Sequence, residues 1–475
     1  MEHYKMYVNG EWRDSDVKKP VFDKFSREQI ATYALTSEAD VNEAVLAARE
    51  SFHTVKLTPS QRADILAKAK ALLLEEKEAL GTVICSQAGR LIGDSMGEVV
   101  RSALVFDLAA EEGKRICGEM VPVDGVAGGE NKMCFTLRVP VGVVCAITPF
   151  NVPLSLTLHK IAPAIAAGNV VILKPTEQTP GVAVKLVEIL LKAGLPKNHI
   201  QLVLGSGSVV GEALLKNEDI DFYTFTGSVS VGEHIKKTIG LRRCSMELGS
   251  NAPVIVHHDT ADIKKAAIGC ALKGFMNAGQ VCMKPQRILV QESILDEFLS
   301  IAAEFTKGLV VGDPRDPKTN IGPLISEAEA ERVDSWVKEA VAEGAKVVIG
   351  GERVTNVCYT PTILTDVKKG MKVVDDEIFG PVIVVIPYKE FDEAIQLAND
   401  SIYGLQAGIF TSNINLAMKA AKEIESGGVI INETSFWRVD NMPYGGLKKS
   451  SVGGKEGPKY AIEEMTDLKT VLIEL

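Results

Sequence analysis

Three side chains far apart in the chain have types that together could act on a carbonyl group: Cys282, Glu247 and Asn151. Cys282 lies in GFMNAGQVCMKPQR, residues 274–287, ahead of an apolar run, Ile288 to Val290. A cysteine attacks as its thiolate, so a thiol in a tight, glycine-flanked stretch is a candidate nucleophile. Gly279 frees the backbone there, allowing close approach to a bound molecule without an intervening side chain. Glu247, in MELGSNAPVIV, is 282 − 247 = 35 residues upstream, and Asn151, in ITPFNVPLSLTLHKIAP, is a further 247 − 151 = 96 residues back. Nucleophile, general base and oxyanion donor are the roles these types fit. A simply packed thiol is the competing reading, because free cysteine is among the most buried residue types.

The elements that must position them alternate. Apolar strands at Val141–Ile147, Val170–Leu173, Ile200–Leu204 and Phe222–Phe225 are separated by helical segments, the pattern of a parallel sheet covered on both faces. The pattern resumes from Ser250 to about Ser450, with strands in APVIVHH, RILVQE, KVVIGG and PVIVVIPY and helices over 326–343 and 392–399. Before this, Asn9-Gly10 predicts a two-residue hairpin. Ser37 with Asp40, and Thr58-Pro59 with Gln61, predict capped helix starts, and a third helix is expected over 97–116, carrying Arg101 in its first turns. GVAGGENK, 125–132, reads as a loop between two strands, and the closing KTVLIEL reads as a strand. No linker rich in Pro, Ser or charge divides the chain.

The 475 residues, 46% hydrophobic and 24% charged, suffice for two or three domains. A net charge of −10, with Lys and Arg scattered, argues against broad nucleic-acid binding. The apolar stretches are too short to span a bilayer, and residues 1–20 lack a signal-peptide core, so the cytoplasm is the expected location. Eight cysteines form no CxxC pair, as in a reduced compartment, and the seven histidines show no metal-ligand spacing, so no metal is expected.

PFN, KPTEQTP, FTGSVSVG, MELGSNAP, GQVC, EIFGPV and PYGGLKKS follow one another in an order and spacing that resemble the aldehyde dehydrogenase superfamily along nearly the whole chain. The resemblance implies an α/β fold of two doubly wound parallel-sheet domains plus a small β oligomerisation unit. The expected division is 1–119 and 139–248 for dinucleotide binding, 249–450 for catalysis, and 120–138 with 451–475 for the oligomerisation hairpin and C-terminal strand. A homodimer or homotetramer follows from it; a plain surface hairpin is the alternative. The implied reaction oxidises an aldehyde to a carboxylic acid through a thiohemiacetal and a thioester on Cys282, with Asn151 at the oxyanion and Glu247 activating water. Lys160 and Glu456 stand at the family's proton-relay positions, although isolated residues of these types are more often structural. Relatives that pass the acyl group to coenzyme A lack the carboxylate at Glu247, so hydrolysis is expected. The alternatives are a coenzyme A-acylating enzyme and a non-catalytic protein on the same fold.

A GxGxxG fingerprint is absent, since Gly205, Gly207 and Gly211 have one residue too many. The family uses a variant, with Gly227, Ser228 and Gly232 at a helix start, where free N–H groups suit phosphate. A turn with packing glycines is the plainer reading. The resemblance implies NAD, with NADP possible, held by Thr148, Pro149, Phe150, Lys174, Thr176, Glu177, Gly207, Gly211, Phe225, Thr226, Gly227, Ser228, Gly232, Leu248, Gly249, Glu377 and Phe379. A carboxylate at Glu177 favours a free ribose 2′-hydroxyl over a 2′-phosphate. Otherwise Lys174 and Glu177 are solvated loop charges.

The substrate region resembles the branch of lactaldehyde and non-phosphorylating glyceraldehyde-3-phosphate dehydrogenases. Arg101 matches a phosphate-binding arginine and Arg438 lies one residue from another, but Val281 and Val152 stand where that branch carries Arg and Tyr, leaving half the clamp. A small-molecule aldehyde with a hydroxyl or anionic group is expected: lactaldehyde, glyceraldehyde 3-phosphate, sulfolactaldehyde or succinate semialdehyde. Arg101 and Arg438 would hold the anion, or form structural ion pairs instead. Phe150, Val281, Met283, Phe436 and Trp437 would make the apolar wall.

Overall fold

A computed structural model of the chain describes residues 1–475. Its centre is an eight-stranded sheet in the order 451–452, 243–247, 222–226, 143–147, 170–174, 200–202, 6–8, 11–13. The five middle strands are parallel, and the two next to them, Ser451–Val452 and Met6–Val8, run antiparallel. Strand Val143–Ile147 is first in sequence among the five yet sits in the middle. The order therefore reverses between it and Phe222–Thr226, which opens a crevice beyond their C-terminal ends. The runs Val143–Ala146 and Val170–Leu173 are wholly buried, as expected of strands with helices on both faces.

A second sheet of seven strands has the order 346–349, 362–365, 382–388, 287–291, 253–256, 406–410, 428–431, parallel except for its first strand. Each large sheet has its own apolar cores. Two three-stranded sheets complete the fold, one of residues 2–4, 29–34 and 18–22, which the sequence did not announce, and one of 466–474, 132–140 and 120–121. The closing strand Thr466–Glu474 pairs along its length with Lys132–Pro140 of the same chain and leaves its other edge open. Ser451–Val452, grouped by sequence with the small β unit, pairs instead with Arg243–Glu247 in the large sheet.

Local expectations correspond to local geometry. Asn9 and Gly10 both adopt positive φ, 51° and 79°, between paired strands. Ser37 with Asp40, and Thr58 with Gln61, each make reciprocal capping bonds. The helix expected over 97–116 begins earlier, at Ile92, and ends at Gly113, preceded by a separate helix Lys77–Ala88. A left-handed Gly89, φ 72°, breaks the two apart, a glycine signal missed in a continuously helix-forming stretch. No helix is long and apolar enough to cross a membrane.

Candidate active site

Cys282 sits in a turn fixed on several sides. Asn277 and Ala278 take left-handed conformations, φ 54° and 53°, which non-glycine residues adopt only when their surroundings impose them. Gln280 donates from Nε2 to the Asn277 and Pro323 carbonyls and accepts at Oε1 from Ile325 N–H. Lys284, fully buried, donates to Gly380 O and Val382 O at 2.8 and 2.7 Å. Burial lowers that ammonium to about 7. A Cβ on Gly279, φ 71°, would overlap the Gly380 carbonyl. The freedom of Gly279 therefore serves a backbone-to-backbone contact, and not the approach of a bound molecule expected from sequence.

The turn holds the thiol, partly exposed, in the wall of a cleft of about 1100 Å³ between the two large sheets. Asn151, four residues beyond the strand Val143–Ile147, lines the same cleft. Its Nδ2 donates to Gln280 O at 3.0 Å, leaving its second amide proton without a protein partner. The Cys282 backbone N–H makes no hydrogen bond within the chain. Burial pushes the Cys282 thiol up to about 12 despite a hydrogen bond with Tyr444.

Glu247 ends the strand Arg243–Glu247 and is 3% exposed. Ser451 Oγ donates to its Oε1 at 3.2 Å, while Oε2 is buried without a partner. Burial, and then the charge of Glu456, raises the Glu247 carboxyl well above its ordinary range. Burial also opposes charge on Glu456, but Lys160 and Arg438 outweigh it and hold that carboxyl down at about 2. Lys160 Nζ bonds Glu456 Oε1 at 3.0 Å, and Arg438 Nη2 lies 3.4 Å from Glu456 Oε2. Two neighbouring carboxyls are thus pushed in opposite directions from their ordinary range, a pattern that separates an acid–base group from a fixed charge.

Of the dinucleotide positions read from sequence, Thr148, Pro149, Phe150, Lys174, Thr176, Gly207, Gly211, Phe225, Thr226, Gly227, Ser228, Leu248, Gly249, Glu377 and Phe379 line the cleft. Glu177 and Gly232 do not. Glu177 is exposed and lines an adjoining cavity of about 400 Å³ beside Lys24, with Gln178 shared between the two spaces. A Cβ on Gly232 would press on Leu248, so this glycine allows helix Val229–Ile239 to pack. The cleft fits a dinucleotide: Ser228 caps that helix, and no atom lies within 4 Å of where a Gly207 Cβ would stand. Thr226 Oγ1 and Arg332 Nη1 are buried at its wall without partners, and a polar ligand would supply them. Arg332 stacks on Trp336, and both line the cleft; the signal missed was their i, i+4 spacing on an expected helix.

The aldehyde dehydrogenase family model matches residues 12–471. The chain belongs to the aldehyde dehydrogenase family. It catalyses NAD(P)-dependent oxidation of small aldehydes. This aldehyde dehydrogenase is 50% identical, over 475 residues covering 100% of the chain and 99% of the relative, to the 3-sulfolactaldehyde dehydrogenase of Priestia aryabhattai. It is 40% identical to the lactaldehyde dehydrogenase of Methanococcus maripaludis, covering 98% and 99% of the two chains. The NADP-dependent glyceraldehyde-3-phosphate dehydrogenase of Bacillus halodurans, solved with NADP, superposes with a TM-score of 0.97 at 35% identity, covering 100% of both chains.

On the substrate side of this aldehyde dehydrogenase, Val281, Met283, Leu405 and Tyr444 form a small apolar cluster against which Cys282 and Phe436 pack. Trp437 is 47% exposed. Both arginines are paired within the chain, Arg438 more completely than Arg101. Arg101 grips Asp440 with Nε and Nη2 at 2.9 and 2.7 Å, while Arg438 is 5% exposed, pairs with Glu456 and lies over the Tyr444 ring. Asp440 also bonds His159 Nε2 at 3.0 Å. Tyr444, His159 and Asp440 were not singled out from sequence. Tyr444 lies in PYGGLKKS and His159 in ITPFNVPLSLTLHKIAP, but nothing local marked their contacts or those of Asp440.

Proposed function

We propose that this chain oxidises a short hydroxyaldehyde carrying an anionic head group, 3-sulfolactaldehyde foremost, to the free carboxylic acid. The observation that carries the chemistry is the shared wall: Cys282 and Asn151 line the cleft that fits the dinucleotide, and buried Glu247 stands directly before Leu248 and Gly249, which line it too. The name of the relative at 50% identity supports the sulfonate, and Arg101 supplies a guanidinium whose Nη1 makes no bond within the chain.

In this reading Cys282 Sγ forms a bond to the aldehyde carbon, its proton passes to the Glu247 carboxylate, and the carbonyl oxygen becomes an oxyanion. The free proton of Asn151 Nδ2 and the Cys282 backbone N–H stabilise that oxygen, one such donor being worth about 2.7–4 kcal/mol. A nicotinamide, when bound, would supply the hydride acceptor for oxidation at the carbon held on Cys282. Thr148 to Phe150, Thr226 to Ser228, Glu377 and Phe379 would hold the dinucleotide. Glu247, having passed the first proton to solvent, then takes a proton from water, hydroxide adds to the thioester carbon, and the carbon–sulfur bond breaks to release the acid and the Cys282 thiolate. A carboxyl raised above its ordinary range suits that task. Lys160 and Glu456 maintain the field around it.

Eight free thiols support a cytoplasmic location, and exposed Leu468 and Leu472 on the open-edged closing strand support a homodimer or homotetramer. Absorbance of reduced nicotinamide across a panel of sulfonated, phosphorylated and neutral aldehydes tests the substrate. Highest kcat/KM on the sulfonate is expected; a preference for neutral lactaldehyde would overturn it.

A further inference from the structure

The sulfur of Cys282 has one hydrogen-bond partner, the hydroxyl of Tyr444 at 3.0 Å. Tyr444 is 4% exposed and is held from both ends. Its backbone N–H donates to Glu456 O at 3.0 Å, and its carbonyl accepts from Glu456 N–H at 2.6 Å. Its ring packs with Val281, Met283 and Leu405, and the Arg438 guanidinium lies 3.9 Å from the ring centroid. A cation on the ring face draws electron density from the phenol and makes its hydroxyl a stronger donor. Burial nevertheless raises Tyr444 well above the ordinary phenol range, so the hydroxyl keeps its proton at all working pH values.

The next residue, Gly445, faces the general base. A Cβ there would come within 2.5 Å of Glu247 Oε1. One dipeptide thus touches both the nucleophile, through Tyr444 Oη, and the base, through the Gly445 backbone. A phenylalanine would fill the apolar cluster equally well, so packing alone does not account for the hydroxyl.

We propose that Tyr444 is a further catalytic residue: its hydroxyl donates to Cys282 Sγ as the thiol ionises, which fixes the sulfur in the cleft wall and favours the thiolate. This deepens the proposed function and rests on Cys282 being the nucleophile. In the resting enzyme the thiol can donate to the phenol oxygen, and the hydroxyl reverses its role when the sulfur loses its proton. No covalent bond of Tyr444 breaks, because the thiol proton goes to Glu247.

The test is Tyr444→Phe in the full chain, read by the pH dependence of Cys282 alkylation with iodoacetamide, followed by peptide mass, and by the first burst of reduced nicotinamide. The alkylation midpoint is expected to rise by about one unit, the size of one lost hydrogen bond to the charged form. The burst is expected to slow about tenfold at neutral pH and to recover as pH rises. An unmoved midpoint overturns the proposal. Tyr444→Leu is expected to shift the midpoint by the same amount; a shift in Leu but not in Phe assigns the effect to packing and also overturns it. Cys282→Ser separates the two layers. A burst retained there removes the nucleophile itself, whereas a burst lost there with an unmoved midpoint in Tyr444→Phe removes only the tyrosine.

Discussion

Lys160 Nζ donates to Glu456 Oε1 over 3.0 Å, with both side chains 5% exposed or less. The pair shapes the site through a third group. Lys160 and Arg438 keep Glu456 ionised, and ionised Glu456 in turn discourages charge on Glu247. Burial and that charge together keep the Glu247 carboxyl, the proposed base, protonated to a higher pH than an isolated carboxyl would be.

Glu456→Gln removes a negative charge beside Glu247 and leaves Lys160 and Arg438 facing it, so the Glu247 carboxyl falls. The rising limb of deacylation against pH, which follows ionisation of the base, is expected to move to lower pH by about one unit. Steady-state pH profiles with hydrolysis rate-limiting give the answer, and an unmoved limb would show that the two carboxyls do not communicate.

Glu247→Gln is expected to release about one reduced nicotinamide per active site and then stall, because hydrolysis needs the base more than acylation does. Cys282→Ser is expected to abolish the burst. Sustained fast turnover in Glu247→Gln would assign the base elsewhere.

Arg101 is 42% exposed with one nitrogen unbonded, whereas Arg438 is buried and committed to Glu456. Arg101→Met is therefore expected to raise KM about tenfold or more for a sulfonated or phosphorylated aldehyde and to leave neutral lactaldehyde nearly unchanged. Arg438→Met, by contrast, is expected to depress kcat on both alike. Equal KM effects of Arg101→Met on both substrates would discard the anion contact.

Asp440 carries a stability consequence. Burial opposes its charge, but His159 and Arg101 outweigh that and hold its carboxyl well below the ordinary range. Because the folded value is depressed, the stabilisation is complete above the unfolded value of about 3.9 and is lost as pH falls through and below it. Asp440→Asn is expected to lose about 1.5–3 kcal/mol at neutral pH, the range for hydrogen bonds to a charged group, and to show a flatter acid limb. Urea midpoints at several pH values from neutral to acid measure both, and parallel curves for the two proteins would contradict it.

Much of the site could be read before folding. Cys282, Asn151 and most of the dinucleotide positions line one cleft. Gly279, Glu177 and Gly232 were placed by sequence against a ligand. Gly279 and Gly232 meet protein instead, and Glu177 faces a neighbouring cavity beside Lys24. Glycine spacing says that two surfaces approach closely, but not which two.

Sequence by itself determined the alternation of strands and helices, the hairpin at Asn9-Gly10, and the caps at Ser37 and Thr58, because each depends on partners within a few residues. It also supplied the candidate reacting types in order. Tertiary structure alone decided that Cys282 meets Tyr444, 162 residues away, and that Arg101 is engaged by Asp440, 339 residues away. Those pairings are set by strand order and core packing, and with them comes the burial that raises Glu247, holds Glu456 down and pushes the thiol up. A side chain's charge state follows from what surrounds it in space, which no local pattern records.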